Sequence, residues 1–423
     1  MRGDAQYPHQ LPGPGMELAR VALVERRQSV FEVRKASSTK CSRHSAGHSR
    51  STLESDLERK AKYVSFYRLA NLMILNPQRG EEIMRAVELN GYQGFQSLRV
   101  VEVEKPRPGV KEILIEVRAA GINYAEIELT SGKYQVPKQP PFVMGFEASG
   151  IVTEVGSQVR NHRVGDRVTS IVSSGGYADY AVADAGFAIP IPEGISFAQA
   201  ATIPIQGLSA YALLRFAAKP RATESVLVQS AAGGVGLYLV QLLKIMGVKR
   251  VIALASSKEK LDLVKSLGAD LTFNYSEPDW ADRVRAATDG SGVDVVLEAA
   301  SGEVGEASFK LIAPFGRMIV FGAKNIHDTI SSEKVRQLIY GNQSLTGFNF
   351  PSLRPQQIAE CVPDLLDLIS DQKIKLFANT SFPLANVRTA FEALSSRRTI
   401  GKVVLTPYQE NQTIGTSFRG DEL

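Results

Sequence analysis

Cysteine is almost missing from this chain of 423 residues, which has only Cys41 and Cys361. Two cysteines build no disulfide scaffold, and such sparse use of thiol fits a reducing compartment, with the cytoplasm as the default. Histidine is scarce as well. There are five, and only His162 and His327 lie beyond residue 83. Tetrahedral zinc needs three or four converging nitrogen, sulfur or carboxylate ligands, so one Cys and two scattered His after residue 83 give no expectation of a metal. No apolar run reaches the roughly 18 residues of a transmembrane helix, and the opening MRGDAQYPHQ lacks the charged-then-apolar pattern of a secretory signal. A basic surplus is also missing from most of the chain. Residues 1–83 carry 14 Lys/Arg against 9 Asp/Glu, whereas residues 84–423 carry 35 of each. The net charge of +5 therefore belongs to the first segment, and the rest gives no electrostatic case for a nucleic-acid partner.

The first segment, 1–83, is read as a disordered or mis-started extension. Ser37–Ser55 is polar and Ser-rich, the composition of a chain that cannot bury enough apolar surface to fold. Three functional readings stand. One is an Arg- and Ser-rich transit peptide, with four acidic residues in the first fifty against it. Another is a metal site on His44 and His48, which a flexible tract does not support. The favoured one is a true start at Met84, because RGEEI before it is what a purine-rich ribosome-binding stretch spells when translated, and globular patterning begins there.

From Met84 to about residue 205 short apolar or alternating runs stand between Gly and Pro, as in Leu114–Val117, Ala148–Val155 and Gly165–Val172. They predict a small β domain. Over 206–344 the rhythm becomes strand then helix, repeated. VLVQSA is followed by a helix over Leu237–Met246, VIALAS by a helix over Glu259–Leu267, and then come strands at Leu271–Asn274, Val293–Glu298 and Arg317–Phe321. Such alternation predicts a doubly wound parallel sheet, an α/β Rossmann domain. After residue 344 the texture is irregular, with helices over Pro363–Ser370 and Asn386–Leu394 and a last strand at Gly401–Leu405; residues 409–423 form a polar tail.

Between the first strand of that alternation and its helix stands AAGGVG, residues 231–236. In a dinucleotide fingerprint the glycines serve a tight turn, close approach of backbone to pyrophosphate, and helix–strand packing. Gly233 and Gly236 keep the G-x-x-G spacing, and Ala231 holds the place of the first glycine. The plain alternative is a tight turn with no ligand. At the end of the next strand an NAD site carries Asp or Glu for the ribose 2′-hydroxyl. Here that position is Ala255, followed by Ser256, Ser257, Lys258 and Lys260. Small hydroxyls beside an ammonium suit a 2′-phosphate, so NADPH is expected over NADH. The bland reading leaves the two lysines as decoration of a helix start.

The ordered blocks GINYAEIELTSGKY, GFEASGIVTEVG, VGDRV, GGYADYAV, AATIPIQGLSAYALL, SAAGGVG, FNYSE, PFGRMIVFG and RRTIGKVVLTP resemble the medium-chain dehydrogenase/reductase superfamily in its zinc-less quinone oxidoreductase branch. The resemblance runs from about Met84 to Pro407. It implies a GroES-like catalytic domain split around the Rossmann domain, in segments 84–205 and 345–408, with the active site between them. It also implies a homodimer joined at the Rossmann sheet edge. Zinc relatives place a Cys at the position of Asn123 and a His at that of Phe146; of their set only Glu147 remains. Hydride transfer without zinc calls for an acceptor already electrophilic, a quinone or an α,β-unsaturated carbonyl.

By the same resemblance, Asn123, Tyr134 and Tyr124 are the expected catalytic residues, meeting charge that develops on the acceptor oxygen. The proton comes from Tyr134 or from water. Glu128 stands where relatives often have a second tyrosine. Ser209 matches a residue near the nicotinamide, and Ala232, Gly233, Gly234, Val235 and Gly236 match the pyrophosphate turn. Ser256, Ser257, Lys260 and Tyr275 match the 2′-phosphate pocket. Phe321 and Gly322 end the strand facing the nicotinamide ribose, and Phe348 and Lys402 are expected from the returning catalytic domain. Two rivals stay open: an enoyl-thioester reductase of lipid or polyketide type, and a non-catalytic NADPH-binding accessory protein of vesicle amine transport type.

Overall fold

The computed structural model describes residues 82–134, 138–327 and 329–407. Expectations for residues 1–81 and for the tail from 408 lie outside that range. The first lobe carries β1 (Ile83–Leu89), β2 (Leu98–Glu104), β3 (Glu112–Ile122), β4 (Phe142–Val143), β5 (Glu147–Val155), β6 (Arg167–Ile171), β7 (Tyr180–Asp184) and β8 (Ala188–Pro190). The second carries β9 (Ser225–Val228), β10 (Arg250–Ala255), β11 (Leu271–Asn274), β12 (Val293–Glu298), β13 (Ile312–Val320) and β14 (Ser344–Gly347). The chain then returns to the first lobe with β15 (Thr380–Pro383) and β16 (Val403–Thr406).

The catalytic lobe is mainly antiparallel. Its larger sheet runs β15-β16-β3-β5-β6-β8, with β7 also paired to β3, and β2-β1-β4 form a smaller one. Long β3 is its spine because ILIEV alternates into a core of Ile113, Ile115, Val117, Met144, Val152 and Phe391. The second sheet, β11-β10-β9-β12-β13-β14, is parallel throughout. Its central strands are buried on both faces, so Val226–Val228 and Val251–Leu254 read as unbroken apolar runs. This is the doubly wound α/β architecture with a GroES-like partner lobe.

The expected lobe boundary at residue 344 differs from the structure. Strand β14 pairs with β13, Arg317 opposite Ser344, and Phe350, Ile358, Cys361, Leu365, Ile369, Ile374 and Leu376 share the core of Val226, Leu239 and Val251. The chain rejoins the catalytic sheet only at β15. Residues 345–376 read as irregular because their helices, Pro355–Ala359 and Val362–Ser370, are short and begin at prolines or next to them.

Candidate active site

Strand β3 ends at Ile122, and Asn123 caps the helix Tyr124–Thr130. Three residues on, the Glu126 carboxylate accepts from the Asn123 backbone N–H at 2.7 Å and from its Nδ2 at 3.2 Å. Glu147, first residue of β5, accepts from Asn123 Nδ2 at 2.8 Å through Oε1 and from the Ile205 N–H at 3.1 Å through Oε2. Lys402 donates to Glu147 Oε1 and, at 2.7 Å, to Asn123 Oδ1. Glu147 and Lys402 are both fully buried.

The expectation that Asn123 donates to the acceptor oxygen does not fit this geometry. Its two Nδ2 hydrogens point to Glu126 and Glu147, and its Oδ1 faces the Lys402 ammonium. The amide has no N–H left to donate to a substrate. Lys402 likewise belongs to the interior of this network and is not exposed to a cofactor. Burial pushes the Glu126 carboxyl up to about 7. Tyr177, fully buried beside it, donates to the Gly121 carbonyl at 3.3 Å and has its phenol raised by burial and by the Glu126 charge.

In the glycine turn the helix Gly234–Ile245 starts directly after Gly233. A Cβ on Gly236 would lie 2.3 Å from the Ser230 carbonyl oxygen and 2.7 Å from the Ala231 Cα, so this glycine lets the helix sit against the turn. Gly234 has a different reason. A Cβ there would fall 2.0 Å from Cδ and Oε1 of Gln206 and 2.1 Å from its Nε2. The turn also reaches the catalytic lobe, because the Gly401 N–H donates to the Ala232 carbonyl at 3.0 Å, one residue before Lys402. A single backbone segment thus connects the glycine turn to the Asn123 network.

The end of β10 gathers the residues expected at a 2′-phosphate. Ala255 pairs with Asn274, and the Tyr275 N–H donates to the Ala255 carbonyl at 3.1 Å. Ser257 caps the helix Lys258–Ser266, its Oγ accepting from the Lys260 N–H. Lys258 is a surface residue paired with Asp262 at 2.6 Å, which is the bland role. Lys260 differs: it is 9% exposed, and its ammonium donates to the Arg397 carbonyl and makes no salt bridge among the described residues. Burial lowers its pKa. A cation held by one neutral carbonyl, with hydroxyls nearby and no acid at Ala255, fits a phosphate.

Other expected residues are distributed more widely. Ser209 is buried in the helix Leu208–Ala212. The Phe321 N–H donates to the Glu298 carbonyl at 3.0 Å just beyond β13, and Gly322 follows it. The Phe348 N–H donates to the Val320 carbonyl at 2.8 Å, so Phe348 extends the Rossmann sheet and does not come from the returning lobe. Tyr134 is half-buried against the catalytic core, and burial raises its phenol. The Lys324 ammonium lies 4.9 Å from the centre of the Tyr124 ring, which joins the two lobes at this point. Sequence reasoning missed Gln206, Lys324 and Glu126. Of these, only Glu126 had a signal, the capping-box spacing from Asn123.

Comparison with known proteins supports the same architecture. The alcohol dehydrogenase GroES-like domain family matches residues 109–193, and the zinc-binding dehydrogenase family matches residues 234–371. A quinone oxidoreductase of Pseudomonas aeruginosa is 32% identical over 329 residues, covering 76% of this chain and 99% of that protein. The chain belongs to the medium-chain dehydrogenase/reductase family. Within it the chain falls in the zinc-less quinone oxidoreductase branch, and it is an oxidoreductase of that family. The human synaptic vesicle membrane protein VAT-1 homolog-like is 31% identical, covering 80% of this chain and 86% of its own. The Escherichia coli quinone oxidoreductase complexed with NADPH superposes with a TM-score of 0.70 at 30% identity, covering 76% of this chain and all of that one.

One of the matched families is named for zinc, and the donor set here does not fit that ion. Glu147 is committed to an ammonium, to Asn123 Nδ2 and to a backbone N–H. Asn123 faces the same ammonium, and Phe146 brings no ligand atom. No helix among the described residues is long and apolar enough to cross a membrane.

Proposed function

We propose that this oxidoreductase uses NADPH to reduce a quinone or an α,β-unsaturated carbonyl without zinc. The observation that carries the reading is the buried Lys402 ammonium held by Glu147 and Asn123, where zinc relatives assemble metal ligands. The site offers no Lewis acid, so the acceptor has to be electron-poor already. The Lys260 corner supports NADPH over NADH, with Ser256, Ser257 and Tyr275 around the 2′-phosphate. NADPH, when bound, supplies the hydride. The protein's part is to hold it through the turn at residues 232–236 and to orient the acceptor in the cleft. Tyr134, a phenol protonated at neutral pH whose pKa burial raises further, donates a hydrogen bond to the acceptor oxygen, and the proton that completes the reduction comes from water.

The test is NADPH oxidation with ortho- and para-quinones and 2-alkenals, with NADH and an enoyl thioester as comparison arms. Turnover of quinone or enal with NADPH well above NADH supports the reading. Turnover of the thioester alone moves the protein to the enoyl-reductase rival. NADPH binding without any turnover moves it to the accessory role that the VAT-1-like relative brings to mind. The cytoplasm is the compartment this reading carries, with Cys361 a free buried thiol.

The same reading includes a homodimer. Strand β14 is the open edge of the parallel sheet, and Ile339 and Tyr340 stand 68% and 82% exposed on the helix before it. Sedimentation of the wild type against Tyr340→Glu tests it: a dimer that the substitution splits supports the edge, and a wild-type monomer refutes it.

A further inference from the structure

Gln206 lies in the π-helical turn Ile203–Gly207 and is 8% exposed. Its Oε1 is buried and has no hydrogen-bond partner. A buried carbonyl left unmet loses its hydration with no return, so such an atom in a native site calls for an explanation. Two features of its position point to a ligand. The amide lies over Gly234, the first residue of a 12-residue helix, with Cδ, Oε1 and Nε2 all 2.0–2.1 Å from where a Cβ would stand. It therefore sits at the phosphate-binding end of that helix and occupies room that only a glycine leaves. On its other side the preceding residue, Ile205, donates its N–H to Glu147, so Gln206 sits between the glycine turn and the Asn123 network.

We propose that Gln206 is a cofactor contact, its Oε1 accepting a hydrogen bond from the nicotinamide half of the dinucleotide. The inference rests on the NADPH reading above. A carbonyl oxygen only accepts, so its ligand partner must donate. Ionised phosphate oxygens do not donate, whereas a ribose hydroxyl and a carboxamide N–H do. The adenosine corner has its own residues at Lys260 and Tyr275. Ser209, expected near the nicotinamide, lies three residues on in the adjoining helix Leu208–Ala212. On this account Gly234 serves recognition through Gln206 and not through direct approach of its backbone to pyrophosphate.

The experiment measures equilibrium binding of NADPH and of adenosine 2′,5′-bisphosphate to the full chain. The bisphosphate carries the adenosine corner's ligand and no nicotinamide. Gln206→Leu is expected to weaken NADPH about tenfold, the loss of one hydrogen bond, and to leave the bisphosphate unchanged. Gly234→Ala, whose methyl must displace the amide, is expected to give the same selective loss. Undiminished NADPH affinity in either variant overturns the inference. So does equal weakening of both ligands, which would make the amide a prop for the turn. A wild type that binds neither ligand overturns the NADPH reading and this one with it. A wild type that binds both, with Gln206→Leu unaffected, overturns this one alone.

Discussion

Replacing Lys402 with methionine removes one member of a fully buried ion pair and keeps most of its volume. Glu147 would then retain only Asn123 Nδ2 and the Ile205 N–H as partners for a carboxylate without access to water. Breaking a buried pair from one side costs about 3–5 kcal/mol, because the remaining charge is uncompensated. The unit that holds the pair spans about 340 residues. At about 2.1 cal/mol/K of unfolding entropy per residue, that cost lowers Tm by roughly 4–7 °C. The assay is thermal unfolding of wild type, Lys402→Met, and Lys402→Met with Glu147→Gln. The double variant removes the orphaned charge and is expected to recover part of the loss. If Lys402→Met melts with the wild type, or the double variant melts below Lys402→Met, the ammonium is not what balances Glu147 and the argument fails.

Three further outcomes follow from the same geometry. Glu126 titrates near 7 in the folded chain, raised by burial. The folded state thus holds the proton more tightly than the unfolded one, and the stability this contributes is full below about pH 4.5 and lost as pH rises through about 7. Urea unfolding of Glu126→Gln across that window should show this downward component removed, and identical pH profiles would refute the assignment. Lys260→Ala should weaken NADPH by about 10–100-fold, as befits a charge-assisted hydrogen bond to phosphate, and spare NADH; equal losses in KM for both cofactors would place Lys260 elsewhere. Gly236→Ala puts a methyl 2.3 Å from a backbone oxygen, whereas at Gly233 the nearest atom is 3.1 Å away. Thermal melts should therefore show Gly236→Ala destabilised by about 1–3 kcal/mol and Gly233→Ala much less, and the reverse order would contradict the packing described.

The parallel sheet was legible because burial on both faces leaves a plain mark: VLV, VIALA and VDVVLE are apolar runs bounded by turn residues. Three of its strand positions follow directly from them. The lobe boundary was not legible: the helix at 363–370 could be read, but nothing local shows that its apolar residues and those of the short helix at 355–359 meet a core far away in sequence. Gln206 was hidden for a similar reason. It stands in a π-turn, which has no residue signature, and its neighbour in space is Gly234, 28 positions on. The Lys260 corner was visible through an absence, the missing acid at Ala255. Asn123 was expected to face the acceptor, but its amide hydrogens go to Glu126 and Glu147. A motif locates a side chain, but only the fold shows where its hydrogen bonds go.

The Asn123 network limits the chemistry that this cleft can perform. Lys402 is a cation, but an ammonium has no vacant orbital for a carbonyl lone pair, and two of its three hydrogens already face Glu147 and Asn123. It holds the two residues in place, as a metal would, without polarising a substrate. The Asn123 amide is spent on the same task. On the proposed reading, stabilisation of charge on the acceptor oxygen falls to Tyr134, a half-buried phenol that would donate one hydrogen bond. One neutral hydrogen bond lowers a barrier far less than a zinc ion does. The remainder has to come from the acceptor itself, which must delocalise the incoming electron pair into its own ring or conjugated carbonyl. A simple ketone or aldehyde lacks that means, so the protein should leave unconjugated carbonyls unreduced even where they fit the cleft.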